Sequence, residues 1–269
     1  MLRPHIVPGD DLLHYGVMND DLTRDTPPSQ APVYETAERL AHVVHEGSRT
    51  MPDDRPLLVC KPKKIESWRV FKIMAEFIEG FDIIRRYGLA VSFFGSSRAT
   101  LGDDSYTRAE ELARRLSKKG FAIVTGGSAG IMQAANKGAF EAGGASVGLN
   151  VNLSDAQKYN SYLTEKFVFD HFFVRKVMLT YASEVYVYFP GGFGTLDEFF
   201  EIATLVQTKK IRSVPLILFG RDYWAPLLGF IEKTMQEKYS TIDKADMELY
   251  TVVDSVDEAY DYILAHVSC

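Results

Sequence analysis

The sequence is poor in metal-binding and disulfide-forming residues. Cys60 and Cys269 are the two cysteines among 269 residues, they stand far apart, and neither belongs to a C-x-x-C pattern. We therefore expect neither a disulfide framework nor a thiolate metal site. The six histidines include no H-x-x-x-H pair. The pair His42 and His45 has no third ligand in view, so no bound metal is expected.

Long apolar runs are missing as well. No run of about 18 apolar residues exists to span a bilayer. The first residues also lack the uninterrupted apolar stretch of a signal peptide. We therefore expect a cytoplasmic protein with no membrane partner. A formal net charge of −6 argues against a surface for nucleic acid, while one local basic pocket for a phosphate remains compatible with it. The ligand should be small.

Two common nucleotide-binding motifs are absent. No G-x-G-x-x-G follows the first predicted strand with an acidic residue about 20 positions later, and no G-x-x-x-x-G-K-[ST] occurs. Neither dinucleotide redox chemistry nor P-loop phosphotransfer is indicated. We expect no cofactor.

What the sequence does contain is typical of a globular chain, with 46% hydrophobic and 25% charged residues. Residues 1 to 60 are polar and proline-bearing, and we expect them to form an N-terminal extension with a short helix over residues 34–46. Residues 61 to 269 should form one domain. Helical spacing of apolar residues predicts its first helix over residues 67–86.

Strands and helices then alternate. Apolar, β-rich runs predict strands at residues 89–94, 121–125, 146–151, 184–189, 214–219 and 250–253, and a short extended segment at 167–169. Helical spacing predicts helices at residues 105–119, 129–142, 172–182, 196–208, 224–239 and 256–265. Strands this apolar are covered on both faces, as in parallel sheets. The predicted class is therefore α/β, a doubly wound parallel sheet with helices on both faces.

Three predicted strands end in turns of small residues. In a parallel sheet these turns share the edge where ligands bind. Glycine lets a ligand approach the backbone closely, and the unpaired N–H groups of the following helix favour a phosphate. One such turn is routine between a strand and a helix, but three together indicate a nucleotide-sized site. The turns are Gly95-Ser96-Ser97-Arg98, Gly126-Gly127-Ser128-Ala129-Gly130 and Gly191-Gly192-Phe193-Gly194-Thr195.

Arg175 and Glu198 are the candidate charged residues of this site. Helical neighbours of Arg175 are apolar, so its guanidinium would either bind an anion or serve a structural pair. The run from Thr195 to Glu198 has the form of a capping box, in which Glu198 would bond the backbone N–H of Thr195. Capping is the favoured interpretation on sequence alone. The same carboxylate would also lie beside a phosphate site, where it could act on a sugar.

Together these motifs resemble the Lonely Guy family, cytokinin riboside 5′-monophosphate phosphoribohydrolases long labelled lysine decarboxylases. The resemblance covers about residues 88 to 240, and the segments 148–169 and 207–210 look more like its bacterial branch than the plant enzymes. The matching motifs are Phe94 to Ser97, Gly126 to Met132, Arg175-Lys176-x-Met178 and Pro190 to Glu198.

The resemblance implies a Rossmann-like fold, with residues 61–269 as the nucleotide-binding catalytic domain. It implies hydrolysis of a nucleoside 5′-monophosphate, AMP or N6-modified AMP, to free base and ribose 5-phosphate, in a homodimer or higher homo-oligomer. The apolar circumference of the helix over 196–208 also favours a homo-oligomer. The family's catalytic residues fall on Arg175 and Glu198. Its phosphate- and nucleotide-binding positions correspond to Gly95, Ser96, Gly126, Gly127, Gly130, Met132, Lys176, Gly191, Gly192, Gly194 and Thr195.

Two other functions stay open on the sequence. A non-catalytic carrier of a nucleotide or nucleotide-derived cofactor would need the glycine turns but no carboxylate at the sugar, so the presence of both Arg175 and Glu198 favours the enzyme. Lysine decarboxylation through pyridoxal phosphate would need a lysine for the Schiff base. Lys176 is the only lysine near the expected site, and nothing nearby marks a pyridoxal pocket.

Overall fold

The structure, a computed structural model, describes residues 66–152 and 159–267. The expected N-terminal extension, residues 1–60, and its helix lie outside the described residues. The strands are β1 (Ala90–Phe94), β2 (Ala122–Thr125), β3 (Ser146–Val151), β4 (Glu165–Phe169), β5 (Val185–Tyr188), β6 (Leu216–Phe219) and β7 (Thr251–Val253). The helices are α1 (Ser67–Ile84), α2 (Asp104–Lys118), α3 (Ile131–Glu141), α4 (Phe172–Tyr181), α5 (Phe193–Gln207), α6 (Arg221–Phe230) and α7 (Val256–His266). A π-helix (Ile231–Lys238) continues α6, and a 3-10 helix covers Lys244–Glu248.

The seven strands form one parallel sheet in the order β4-β3-β2-β1-β5-β6-β7. From β1 the chain builds outward to β4, and it then returns to place β5 on the other side of β1. Phe94 of β1 lies opposite Tyr188 of β5. The strand order therefore reverses between these two strands, and in such sheets ligands bind beyond the carboxyl ends at this reversal. The predicted α/β, Rossmann-like doubly wound fold is confirmed.

Helices cover both faces because neighbouring residues of a strand point in opposite directions. In β1, Val91 and Phe93 belong to one hydrophobic core, while Ala90 and Phe94 belong to the other. The first core is completed by α2, α3 and α7, and the second by α1, α4, α5 and α6. Examples are Leu112, Ile131 and Ile263 in the first core and Ile83, Met178, Phe199 and Trp224 in the second.

Differences from the predicted elements concentrate at their ends. The short extended segment is a five-residue edge strand, β4. The predicted helix over 224–239 begins earlier, at Arg221, and changes to π-helical geometry after Phe230. The most consequential difference is at α5, which begins at Phe193 instead of Leu196.

The outer side of α5 meets later parts of the same chain. Tyr250 packs edge-on against Phe199, with ring centroids 5.8 Å apart, and Gln207 donates to the Asp246 carboxylate at 2.7 Å. Part of the apolar surface of α5 is therefore covered by residues of the same subunit. The homo-oligomer stays a prediction. In the described ranges no helix is both long and apolar enough to cross a membrane.

Candidate active site

Parts of all three glycine turns meet at the carboxyl edge of the sheet, around the point where the strand order reverses. They line a cleft of about 750 Å³, a volume suited to a nucleotide. Of the predicted site residues, the cleft is lined by Gly95, Ser96, Gly126, Met132, Arg175, Gly191, Gly192, Gly194, Thr195 and Glu198. Gly127, Gly130 and Lys176 lie outside the lining.

A smaller cavity of about 450 Å³ adjoins this cleft and shares Pro190 and Tyr223 with it. Its two arginines are paired, Arg108 with Asp104 at 2.7 Å and Arg221 with Asp254 at 3.2 Å. Because these charges are already neutralised, the larger cleft is the better candidate for an anionic ligand.

Backbone contacts hold the turns after β1 and β5 together. The N–H of Ser96 donates to the carbonyl oxygen of Pro190 at 2.9 Å. A Cβ atom at Gly95 would lie 2.7 Å from the side chain of Ile131, and one at Gly191 would collide with the hydroxyl of Thr195. Only glycine permits this close approach at the two positions.

Gly130 acts as a spacer for the same turns. Its φ angle is +73°, and a Cβ there would collide with the carbonyl oxygen of Ser96. That oxygen accepts a hydrogen bond from the N–H of Ile131 at 3.0 Å. Gly130 therefore shapes the cleft from behind without lining it.

The start of α5 contradicts the capping-box interpretation. Gly192 is the N-cap, and its carbonyl oxygen accepts from the N–H of Thr195 at 3.0 Å and of Leu196 at 3.2 Å. Thr195 is consequently the third residue of the helix instead of its cap, and Glu198 lies in the second turn. The first helical residues, Phe193 and Gly194, line the cleft, and their N–H groups have no intrahelical acceptor.

Glu198 is a buried carboxyl group at the bottom of this arrangement. Its residue is 4% exposed, and its Oε2 atom has no hydrogen-bond partner among the described residues. Burial raises its pKa to about 7; Lys176 and Arg175 lower it, while Glu201 and Asp197 add to the increase. A carboxyl group that ionises near neutral pH is suited to proton transfer or to stabilising positive charge.

Arg175 lies in the first turn of α4 and also lines the cleft. Its Nε atom is buried without a partner, and within the described ranges its guanidinium forms no ion pair with Glu198 or another carboxylate. Burial lowers its pKa, and the charge of Glu198 opposes this effect. A Cβ atom at Gly126 would lie 3.2 Å from a guanidinium nitrogen, so glycine makes room for the arginine. The buried cation is therefore available to an anion.

Lys176 connects the two helices that carry the charged residues. Its Nζ atom hydrogen-bonds Asp197 of α5 and lies 3.2 Å from an Oε2 atom of Glu201. Both contacts lie outside the cleft lining, so Lys176 links α4 to α5 and is not part of the cleft lining. In the described part of the chain no lysine lines the cleft.

Sequence reasoning missed Tyr223 and Phe172. Tyr223 of α6 donates its hydroxyl to the carbonyl oxygen of Gly191 at 2.5 Å, and both aromatic residues line the cleft. The signal that could have identified Tyr223 is its position four residues after the end of β6, since βα loops of neighbouring strands share an edge.

Comparisons with known proteins identify the family of the chain. A family model described as "Possible lysine decarboxylase" matches residues 132–263. A cytokinin riboside 5′-monophosphate phosphoribohydrolase of Rhodococcoides fascians is 29% identical over 136 residues, 49% of this chain and 69% of that protein. One of Arabidopsis thaliana is 30% identical over 160 residues, 57% of this chain and 68% of that protein.

Among solved structures, the molybdenum cofactor binding protein of Rippkaea orientalis has a TM-score of 0.49 and 20% identity, covering 66% of this chain and 94% of that one. A likeness at this level assigns no function. The sequence identity to the phosphoribohydrolases, over two thirds of their length, does decide the family. The chain belongs to the Lonely Guy family, whose curated relatives carry the name cytokinin riboside 5′-monophosphate phosphoribohydrolase.

Proposed function

We propose that this protein hydrolyses the N-glycosidic bond of a nucleoside 5′-monophosphate, AMP or N6-modified AMP, and releases free base and ribose 5-phosphate. The relatives named as phosphoribohydrolases support this activity. The observation that carries it for this chain is the position of Glu198, a buried carboxyl with a pKa of about 7 in the same cleft as an open helix N-terminus.

The phosphate would bind at the beginning of α5. There the N–H groups of Phe193 and Gly194 have no intrahelical acceptor, and the positive end of the helix dipole favours an anion. Thr195 adds a hydroxyl group to the cleft lining. The lack of an ion pair between Arg175 and Glu198 favours a direct contact of Arg175 with the substrate.

The sugar would then lie beside Glu198. As the bond between C1′ and the base nitrogen breaks, the bonding electrons leave with the base, and positive charge develops on the sugar. The Glu198 carboxylate stabilises this charge and accepts a proton from the attacking water, whose oxygen bonds to C1′. The departing base takes up a proton from solvent, and Glu198 returns to solvent the proton that it accepted, so the net reaction consumes one water. Binding energy from the remote phosphate lowers the barrier at the reacting bond.

The 5′-phosphate should be required for efficient turnover. Removing it eliminates two or three hydrogen bonds to a charged group, each contributing about 1.5–3 kcal/mol, so kcat/KM for adenosine should be at least about 10²-fold below that for AMP. Steady-state kinetics with the two substrates measures the difference. Comparable kcat/KM values would contradict the placement of the phosphate at α5.

Product analysis tests the proposed reaction itself. The protein is incubated with a panel of purine and pyrimidine nucleoside monophosphates, and products are separated by chromatography. Free base and ribose 5-phosphate in equal amounts from at least one nucleotide would support hydrolysis. Nucleotide binding in equilibrium dialysis with no product from any nucleotide would favour the non-catalytic carrier.

A further inference from the structure

Helix α1 contributes a carboxylate to the beginning of α4. Glu76 of α1 accepts hydrogen bonds from the backbone N–H groups of Asp170 and His171 at 3.3 and 3.2 Å. The same carboxylate lies 2.8 Å from Nδ1 of His171, within hydrogen-bond distance. The side chains of Glu76 and His171 are both 13% exposed. One carboxylate thus joins two helices through three hydrogen bonds.

These contacts lie directly before two residues that line the cleft. His171 is the N-cap of α4, and its own side chain forms no capping bond to the helix. Phe172, the first residue of α4, lines the cleft, and Arg175 follows within one turn. Because a helix moves as a rigid unit over one turn, the position of its first residue sets the position of Arg175.

Helices α1 and α4 also pack closely against each other. A Cβ atom at Gly80 would lie 2.6 Å from the sulfur of Met178, so the two helices approach as closely as glycine allows. At the next residue of α1, the ring of Phe81 lies 6.2 Å from that of Tyr181 in α4. Helix α1 lies outside residues 132–263, the part matched by the family model.

From these contacts we infer that Glu76 is a positioning residue for Arg175. It holds the two residues immediately before α4, Asp170 and His171, through their backbone N–H groups, and the negative charge of Glu76 also favours the positive end of that helix. The inference rests on the proposed nucleotide hydrolysis, because it states how α1 keeps the guanidinium at the substrate. Loss of the contact would shift Arg175 while leaving Glu198 in place on α5.

The test compares the effect of Glu76→Gln in two backgrounds. In the wild-type background, we expect kcat/KM for the nucleotide to fall about ten- to a hundredfold, since a displacement of about 1 Å at a catalytic group has effects of this size. In the Arg175→Lys background the same substitution should change kcat/KM less than about twofold, because the group that Glu76 positions is already lost. Glu79→Gln, an exposed position on the same helix, is the matched control and should match wild type.

A purely structural role would give a different result. A smaller fraction of folded protein would lower kcat/KM by the same factor in both backgrounds, and that outcome would overturn the inference. Equal kinetics of Glu76→Gln and wild type would also overturn it. If Glu76→Gln does not fold, Glu76→Asp, whose carboxylate falls about 1.5 Å short, replaces it in the same comparison. Absence of any turnover by the wild-type protein would instead contradict the proposed function.

Discussion

Replacing Glu198 by glutamine should lower turnover by two or more orders of magnitude and, at pH 8, raise the stability of the protein. Glutamine has nearly the same shape as glutamate but carries no negative charge and cannot accept a proton from water. General acid–base catalysis contributes about 10²- to 10⁴-fold to a rate, which sets the expected loss. Steady-state turnover with the preferred nucleotide measures it.

The expected gain in stability follows from the pKa of the same group. In the folded protein the pKa of Glu198 is raised from 4.5 to about 7, mainly by burial. The folded state therefore holds the proton more tightly than the unfolded state, and stability decreases as the pH rises from about 4.5 through 7. Above pH 7 the buried carboxylate costs on the order of 3 kcal/mol, a cost that glutamine avoids.

Thermal unfolding at two pH values separates this effect from a change in packing. At pH 8 the Glu198→Gln variant should melt several degrees above wild type, and at pH 4.5 the two should melt within about 2 °C of each other. Glu237→Gln, at an exposed position, is the control and should change neither turnover nor melting. A Glu198→Gln protein that hydrolyses its nucleotide at nearly the wild-type rate would contradict the mechanism.

Replacing Arg175 by lysine should lower kcat/KM about ten- to a hundredfold. Lysine keeps the positive charge, but it lacks the planar group that makes two parallel hydrogen bonds to a phosphate or carboxylate. The loss of one hydrogen bond to a charged group, about 1.5–3 kcal/mol, accounts for a change of this size.

The variant should remain folded, because Arg175 forms no ion pair among the described residues that its removal would break. Arg212→Lys is the matched control, since Arg212 pairs with Glu184 on the surface at 3.0 Å and lies away from the cleft. Its kinetics should equal those of wild type. A twofold or smaller change in Arg175→Lys would show that the planar guanidinium is not required.

The fold and the composition of the cleft follow from local patterns in the sequence. Strands such as Ala90–Phe94 are apolar at nearly every position, and this pattern alone distinguishes a sheet covered on both faces from one with an exposed face. Once the sheet is parallel, the glycine turns after β1, β2 and β5 must lie at one edge. Helical spacing and the Thr195–Glu198 pattern single out Arg175 and Glu198, and the family resemblance supplies their expected catalytic roles.

The position of Glu198 in its helix and its raised pKa did not follow from the sequence. Thr195 and Glu198 have the spacing of a capping box, and Phe193-Gly194 resembles the end of a turn. The structure places the N-cap at Gly192, whose extended backbone (φ −100°, ψ −159°) lets the helix begin before Thr195. The raised pKa depends on burial by residues far away in the chain, which no local pattern records.

The other contacts could not be predicted from the sequence because they join residues that are distant in the chain. Tyr223 reaches Gly191 across 32 positions, and Glu76 reaches His171 across 95. Lys176 matches a family motif, but its amine pairs with the carboxylates of Asp197 and Glu201 outside the cleft. Each of these arrangements requires the sheet order and helix packing to be known first.

The most direct test of hydrolysis by Glu198 measures ribose 5-phosphate and free base from AMP and N6-modified AMP, with wild type and Glu198→Gln assayed in parallel. Wild type should release both products in equal amounts from at least one of these nucleotides. The variant should release them at least about a hundredfold more slowly while remaining folded. No ribose 5-phosphate from wild type, or equal rates for the two proteins, would contradict the claim that Glu198 in this cleft carries out N-glycosidic hydrolysis.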